Sequence, residues 1–138
     1  MPKNLARPAA IPGRAPFCPE SIAVVSLGNP REKFWGMILA LTPEGLSMSG
    51  IDLGSMEDLA VMAKQGDPVN PAILFFPMHR IERIELDLPN GDLPSLAQRF
   101  TGRTGLQPAA IFRSPLAAKS ADRAKGLRAA ASPRKEPA

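Results

Sequence analysis

Tyrosine is absent from this chain, and tryptophan, cysteine and histidine occur once each. A lone Cys18 excludes an intramolecular disulfide and a cysteine-rich metal site. A nucleophile–base pair would have to join Cys18, in the N-terminal arm, to the single imidazole of His79, and no metal-ligand spacing surrounds either residue. No apolar run approaches ~18 residues, so the sequence holds no helical membrane span. Neither Gly-x-Gly-x-x-Gly nor a P-loop is present, which removes the usual phosphate-cradling backbones. Lys3 and Arg7 are followed by no apolar core of a secretory signal, and the five prolines of residues 1–20 oppose the amphipathic helix of a transit peptide. The expectation is a cytoplasmic protein with no catalytic role, no metal and no cofactor.

Proline, by contrast, is abundant. The sixteen prolines are about twice the average usage, with five in residues 1–20 and four in 104–138. Charge is divided along the same boundaries. Residues 1–20 carry three basic residues against one acid, and 104–138 carry seven against two. Residues 21–103 hold seven basic and ten acidic residues, a net −3 inside a chain of net +4. Three parts follow: a flexible Pro-rich arm at 1–20, one folded domain at 21–103, and a disordered basic Ala/Pro-rich tail at 104–138. Within the arm, Phe17 is a candidate to dock on the domain.

The domain reads as mostly β. Ser21–Gly28 is a strand with Ala23, Val25 and Leu27 on one face, ended by Gly28-Asn29-Pro30. Phe34–Leu41 is apolar on both faces, with Trp35 and Met37 opposed to Phe34 and Ile38, and Gly36 inside it marks a bend or close backbone approach. Thr42-Pro43-Glu44-Gly45 turns the chain into a third strand, Leu46–Leu53, whose alternation changes phase at Gly50 as at a bulge. Two bent strands in one hairpin predict a sheet curling into a barrel. Ser55 with Asp58 then predicts a capped helix with a Leu59, Met62, Ala63 stripe that covers an open end of that barrel.

Ile73–Phe76 and His79–Leu88 complete five strands, with Ile81 out of phase and a bulge placed near Glu82-Arg83; a helix through Ile81, Ile84 and Leu88 is the weaker reading. Trp35, Ile38 and Phe75 are the expected core. Asp92-Leu93-Pro94-Ser95 starts a short second helix that runs to about Thr101, anchored by Leu96 and Phe100, with Gly102 as its C-terminal stop.

Gly36 within Phe34-Trp35-Gly36-Met37-Ile38, and Phe75-Phe76-Pro77-Met78-His79 leading into Arg80-Ile81-Glu82-Arg83-Ile84, resemble the bent central strand and the His-ending motif of the Sm/Hfq-type small barrel. The Phe-Phe-Pro-Met-His-Arg-x-Glu-Arg run is similar to that of small uncharacterised bacterial proteins, some acidobacterial. The resemblance spans residues 21–88 and implies a small five-stranded SH3-like/Sm-like barrel with one or two short helices. It departs where Hfq-like proteins bind uridines: their Tyr-Lys-His run is Pro77-Met78-His79 here. A Pro-rich arm also stands in place of the N-terminal helix, and the insertion at 54–71 is long.

Arg31, Lys33, His79, Arg80 and Arg83 are the candidates for a partner- or anion-binding patch. The plainer reading pairs Arg80 and Arg83 across strands with Glu82 and Glu85. Asp52, Glu82, Glu85 and Asp87 read as strand-edge charges that oppose edge-to-edge pairing, not as a paired-carboxylate site. Lys119, Arg123, Lys125, Arg128, Arg134 and Lys135 are the tail cations available to RNA or another polyanion. Two functions follow: a non-catalytic interaction module or adaptor that binds a protein partner or its own copies, and, as the alternative, an Sm/Hfq-like RNA-binding protein whose affinity comes mainly from the basic tails.

Overall fold

The computed structural model describes residues 15–113. Residues 1–14 of the arm, and the tail with Lys119, Arg123, Lys125, Arg128, Arg134 and Lys135, lie outside the described residues. The elements are β1 (Ile22–Leu27), β2 (Glu32–Thr42), β3 (Gly45–Asp52), α1 (Met56–Lys64), β4 (Ala72–Pro77), β5 (Ile81–Leu86) and α2 (Leu96–Thr104). Single 3-10 turns at Leu53–Ser55 and Met78–Arg80 precede α1 and β5. Residues 108–113 are helical again.

All five strands lie in one antiparallel sheet of order β4-β3-β2-β1-β5. The sheet does not close: β4 and β5 are its two edges and share no ladder. It is nevertheless strongly curled, as chain connectivity requires. Pro77 pairs with Gly45 beside the end of β2, whereas Ile81 pairs with Leu27 beside its start. Laid flat, those corners would be more than about 30 Å apart. The four residue steps between Pro77 and Ile81 reach at most about 14 Å.

Two features let β2 bend. Gly36 faces Gly50 across the β2–β3 ladder, and a Cβ on Gly36 would fall 2.2 Å from the Ser49 carbonyl oxygen and 2.5 Å from Gly50 Cα. Side chains are excluded there because the backbones occupy their space. The bulge itself lies at Leu39, where the register shifts between Ile38 and Ala40. The sequence placed it at Gly50, through which the ladder is continuous. The apparent change of phase in β3 arises because both faces are covered, so alternation stops reporting the register.

The concave face gathers Ala23, Val25, Leu27, Ile38, Leu46, Met48 and Phe76, one cluster drawn from four strands, with Ile81 and Ile84 of β5 packed against it. Phe17 of the arm also packs there. Phe76, not Phe75, is the buried aromatic of β4; Phe75 is 55% exposed. On an edge strand the pleat sends alternate residues inward, and Leu74 and Phe76 take that phase while Ile73 and Phe75 point away.

The convex face presents Trp35 and Met37 to α1, α2 and Phe112. Trp35 meets Phe112 edge-on at 5.0 Å between ring centroids and Phe100 at 5.8 Å. The core therefore reaches past the boundary at residue 103 read from composition. Ser49, fully buried, donates its hydroxyl to the Phe112 carbonyl at 2.6 Å and fastens that segment to β3.

The helices differ from expectation in detail. α1 buries Met56, Ala60 and Ala63, a stripe rotated from the expected Leu59, Met62 and Ala63, and Met62 is exposed. Ser55 makes no side-chain cap; Asp52 instead accepts from Gly54 N at the 3-10 turn, one turn earlier. Helix α1 lies over a face of the sheet and not over the end of a barrel. Helix α2 begins at the end of the Asp92–Ser95 run expected to start it, with Ser95 as N-cap in a reciprocal capping box to Gln98. Its stop is Gly105 in the left-handed region, so Gly102 lies inside the helix. No helix among the described residues is long and apolar enough to cross a membrane.

Candidate functional site

The helical layer covers only part of the convex face. Along β1 that face presents Ile22, Val24 and Ser26; the first two pack under the helices, and Ser26 lies beyond them. Ser26 pairs with Lys33 of β2 on one side and Arg83 of β5 on the other. Residues directly opposite in an antiparallel ladder project to the same face. Lys33, Ser26 and Arg83 thus form one row across three strands. An open cleft of about 520 Å³ lies along the row, lined also by Arg31, Glu32 and Glu82.

The bulge in β5 creates this row. Leu27 pairs with Ile81, so a regular ladder would set Glu82 opposite Ser26. The register instead shifts between Ser26 and Leu27, Glu82 is the extra residue, and Arg83 takes the place opposite Ser26. The bulge expected near Glu82-Arg83 is therefore present, and it exchanges a carboxylate for a guanidinium beside the hydroxyl. The helical alternative for 81–88 is not adopted.

Of the five candidates for an anion patch, three line the cleft. Arg31 and Lys33 are exposed and form no ion pair among the described residues. Arg83 Nε lies 3.7 Å from Glu85, an exposed pair worth little in water. Arg80 is engaged within the fold. Its guanidinium donates to the Asn29 carbonyl at 2.8 Å and to Glu32 Oε1 at 2.7 Å, and its own carbonyl accepts from Gly28 N at 2.9 Å. With Met78 N donating to the Glu44 carbonyl, the turn between β4 and β5 is tied to both hairpin ends. Arg80 thus pairs with Glu32, not with Glu82 as the plainer cross-strand reading had it. His79 is exposed on that same turn, away from the cleft lining.

Ser26 was not legible as a site residue, although one hydroxyl in the Ile22/Val24/Ser26 phase of an apolar strand was its signal. Asp87 was misread as an edge charge. It accepts the Trp35 indole N–H at 3.0 Å and the first backbone N–H groups of α2, from Leu96 and Ala97. Asp52 likewise serves as a local cap. No group of three metal-ligating side chains is assembled among the described residues.

A second surface lies at the opposite edge. Strand β4 has the sequence Ala-Ile-Leu-Phe-Phe-Pro, carries no charge and, among the described residues, pairs only with β3. Ile73 is 45% exposed there beside the exposed Phe75, and Met78 is exposed just past the strand. Strand β5, the other edge, carries Glu82, Arg83 and Glu85. Charged edges resist pairing with further strands, whereas long uncharged apolar edges invite it. The chain matches no protein-family model, no curated protein and no solved structure.

Proposed function

We propose that the protein is a non-catalytic interaction module that takes up an extended protein segment along the free edge of β4. The observation that carries this reading is the edge itself, unpaired among the described residues: six uncharged residues with Ile73 and Phe75 turned outward. Strand addition draws affinity from main-chain hydrogen bonds and specificity from alternate side chains. A second copy of this chain is the first occupant to test, because two such edges can pair antiparallel about a two-fold axis without complementary charges. The curled sheet and the short turn from β4 into β5 support reading the domain as an Sm-like or SH3-like barrel.

Sedimentation of the full chain over a wide concentration range tests the proposal. Self-association should be present and should disappear in Phe75→Lys with no fall in melting temperature. A wild-type chain that stays monomeric throughout, or a variant that associates equally well, refutes pairing through β4. RNA binding through the tails, the alternative, would be indifferent to Phe75→Lys.

A further inference from the structure

The cleft over β1, β2 and β5 is independent of the β4 edge, and its chemistry differs. Ser26 is 7% exposed, and its Oγ is buried without a hydrogen-bond partner among the described residues. A buried hydroxyl left unpaired is costly, and nearly all such groups in folded proteins are satisfied. Ser26 lines a cleft and stands between two cations, Lys33 and Arg83, whose strands flank its own. We infer that the cleft binds a small phosphomonoester, with the phosphate seated over Ser26.

The donor set fits that group. Lys33, Ser26 and Arg83 span three adjacent strands, roughly 10 Å from the first backbone to the third. Two long cationic side chains can close over the hydroxyl from either side, so that separate phosphate oxygens meet an ammonium, a hydroxyl and a guanidinium. Charge-assisted hydrogen bonds of this kind are short and strong, and a guanidinium suits a tetrahedral oxyanion. Arg31 adds a third cation to the lining and forms no ion pair among the described residues. The acids do not cancel them: Glu32 is already held by Arg80 at 2.7 Å, which leaves Glu82 as the unpaired carboxylate of the lining.

The space available also exceeds a bare ion. About 520 Å³ falls within the range of pockets that hold small organic ligands. Glu82 and Glu32 are acceptors, so the body attached to the phosphate should carry hydroxyl or amino donors. A sugar phosphate has that combination.

NMR titration of the full ¹⁵N-labelled chain with ribose 5-phosphate, inorganic phosphate, ribose and sodium chloride tests the inference. Ribose 5-phosphate should give saturable shifts at the amides of Ser26, Lys33 and Arg83, inorganic phosphate the same shifts with weaker affinity, and ribose and chloride none. Ser26→Ala should weaken ribose 5-phosphate binding by about tenfold or more, while its melting temperature stays level or rises, because the lost hydroxyl had no partner. Lys33→Gln, at an exposed position, should weaken binding to a similar degree. The inference fails if neither phosphate gives saturable shifts at these three amides, if chloride shifts them equally, or if Ser26→Ala binds as well as wild type.

Discussion

Asp87 accepts the indole N–H of Trp35 at 3.0 Å across 52 positions of sequence. The same carboxylate receives the N–H groups of Leu96 and Ala97 at 2.8 and 2.9 Å, so one side chain joins the centre of β2 to the start of α2. A tryptophan packed against Phe100 and Phe112 leaves its one polar atom in an apolar layer, and Asp87 satisfies it. Asp87→Ala should strand that donor and uncap α2. A loss of roughly 2–3 kcal/mol in denaturant unfolding is expected, with red-shifted tryptophan fluorescence. Wild-type stability would show that the contact contributes nothing.

The two phenylalanines of β4 should behave oppositely. Phe76 belongs to the concave core and packs at a tilt against Phe34, ring centroids 5.0 Å apart, so Phe76→Ala should cost about 3–5 kcal/mol. Phe75 points outward, and Phe75→Ala should change stability by about 0.5 kcal/mol or less. Thermal melts of both variants check the phase of the strand.

A chain ending at residue 103 should be impaired, because it removes Phe112 from the face of Trp35 and leaves the Ser49 hydroxyl without its acceptor. Phe112→Ala alone should cost about 3–5 kcal/mol. Limited proteolysis should leave a fragment that includes residue 113. A fully stable fragment of 21–103 would contradict the packing.

Two glycines predict opposite signs. Gly36→Ala drives a methyl group into the backbone of β3 and should destabilise by about 3 kcal/mol or more. Gly102 lies within α2 with nothing near its missing Cβ, so Gly102→Ala should stabilise by about 0.5–1 kcal/mol. Equal effects at the two positions would rule out the close approach of β2 to β3.

Attraction to polyanions should reside in the C-terminal segment, since residues 15–113 carry eleven acids against eight basic residues. Removing residues 114–138 should abolish any binding of RNA measured at low salt, and binding by the full chain should fall steeply as salt rises. Salt-tolerant RNA binding by the shortened chain would place it on the sheet.

Local chemistry was most legible where one cause acted. The alternating face of β1, the two-faced β2, the Pro43-Glu44 hairpin, the bulge at Glu82 and a helix starting after the Asp92–Ser95 run all follow from residue type and spacing. Legibility failed where two phases competed. Phe75 and Phe76 are equivalent to a hydropathy pattern, and only the edge position of β4 decides between them. Gly102 and Gly105 can each end a helix, and the left-handed turn forms at the second. Phe112 lies in a stretch without periodicity, so its place against Trp35 depends on tertiary packing alone. The anion row was half visible: its cations could be named, but Ser26 joins them only through a register that no local pattern encodes.

The sheet order has a kinetic corollary. Strands β1 to β4 each pair with their neighbours in sequence, whereas β5 pairs with β1 at the other end of the chain. Closing so long a loop carries more entropy cost than zipping hairpins, and such distant contacts slow folding. The β1–β5 ladder is therefore expected to form after the β1–β4 meander. Lys33 and Ser26 meet early, but Arg83 reaches them, and Asp87 reaches Trp35, only with that last ladder. An incompletely folded chain would hold most of the strands but only two of the three members of the anion row, so ligand binding would report the finished fold alone.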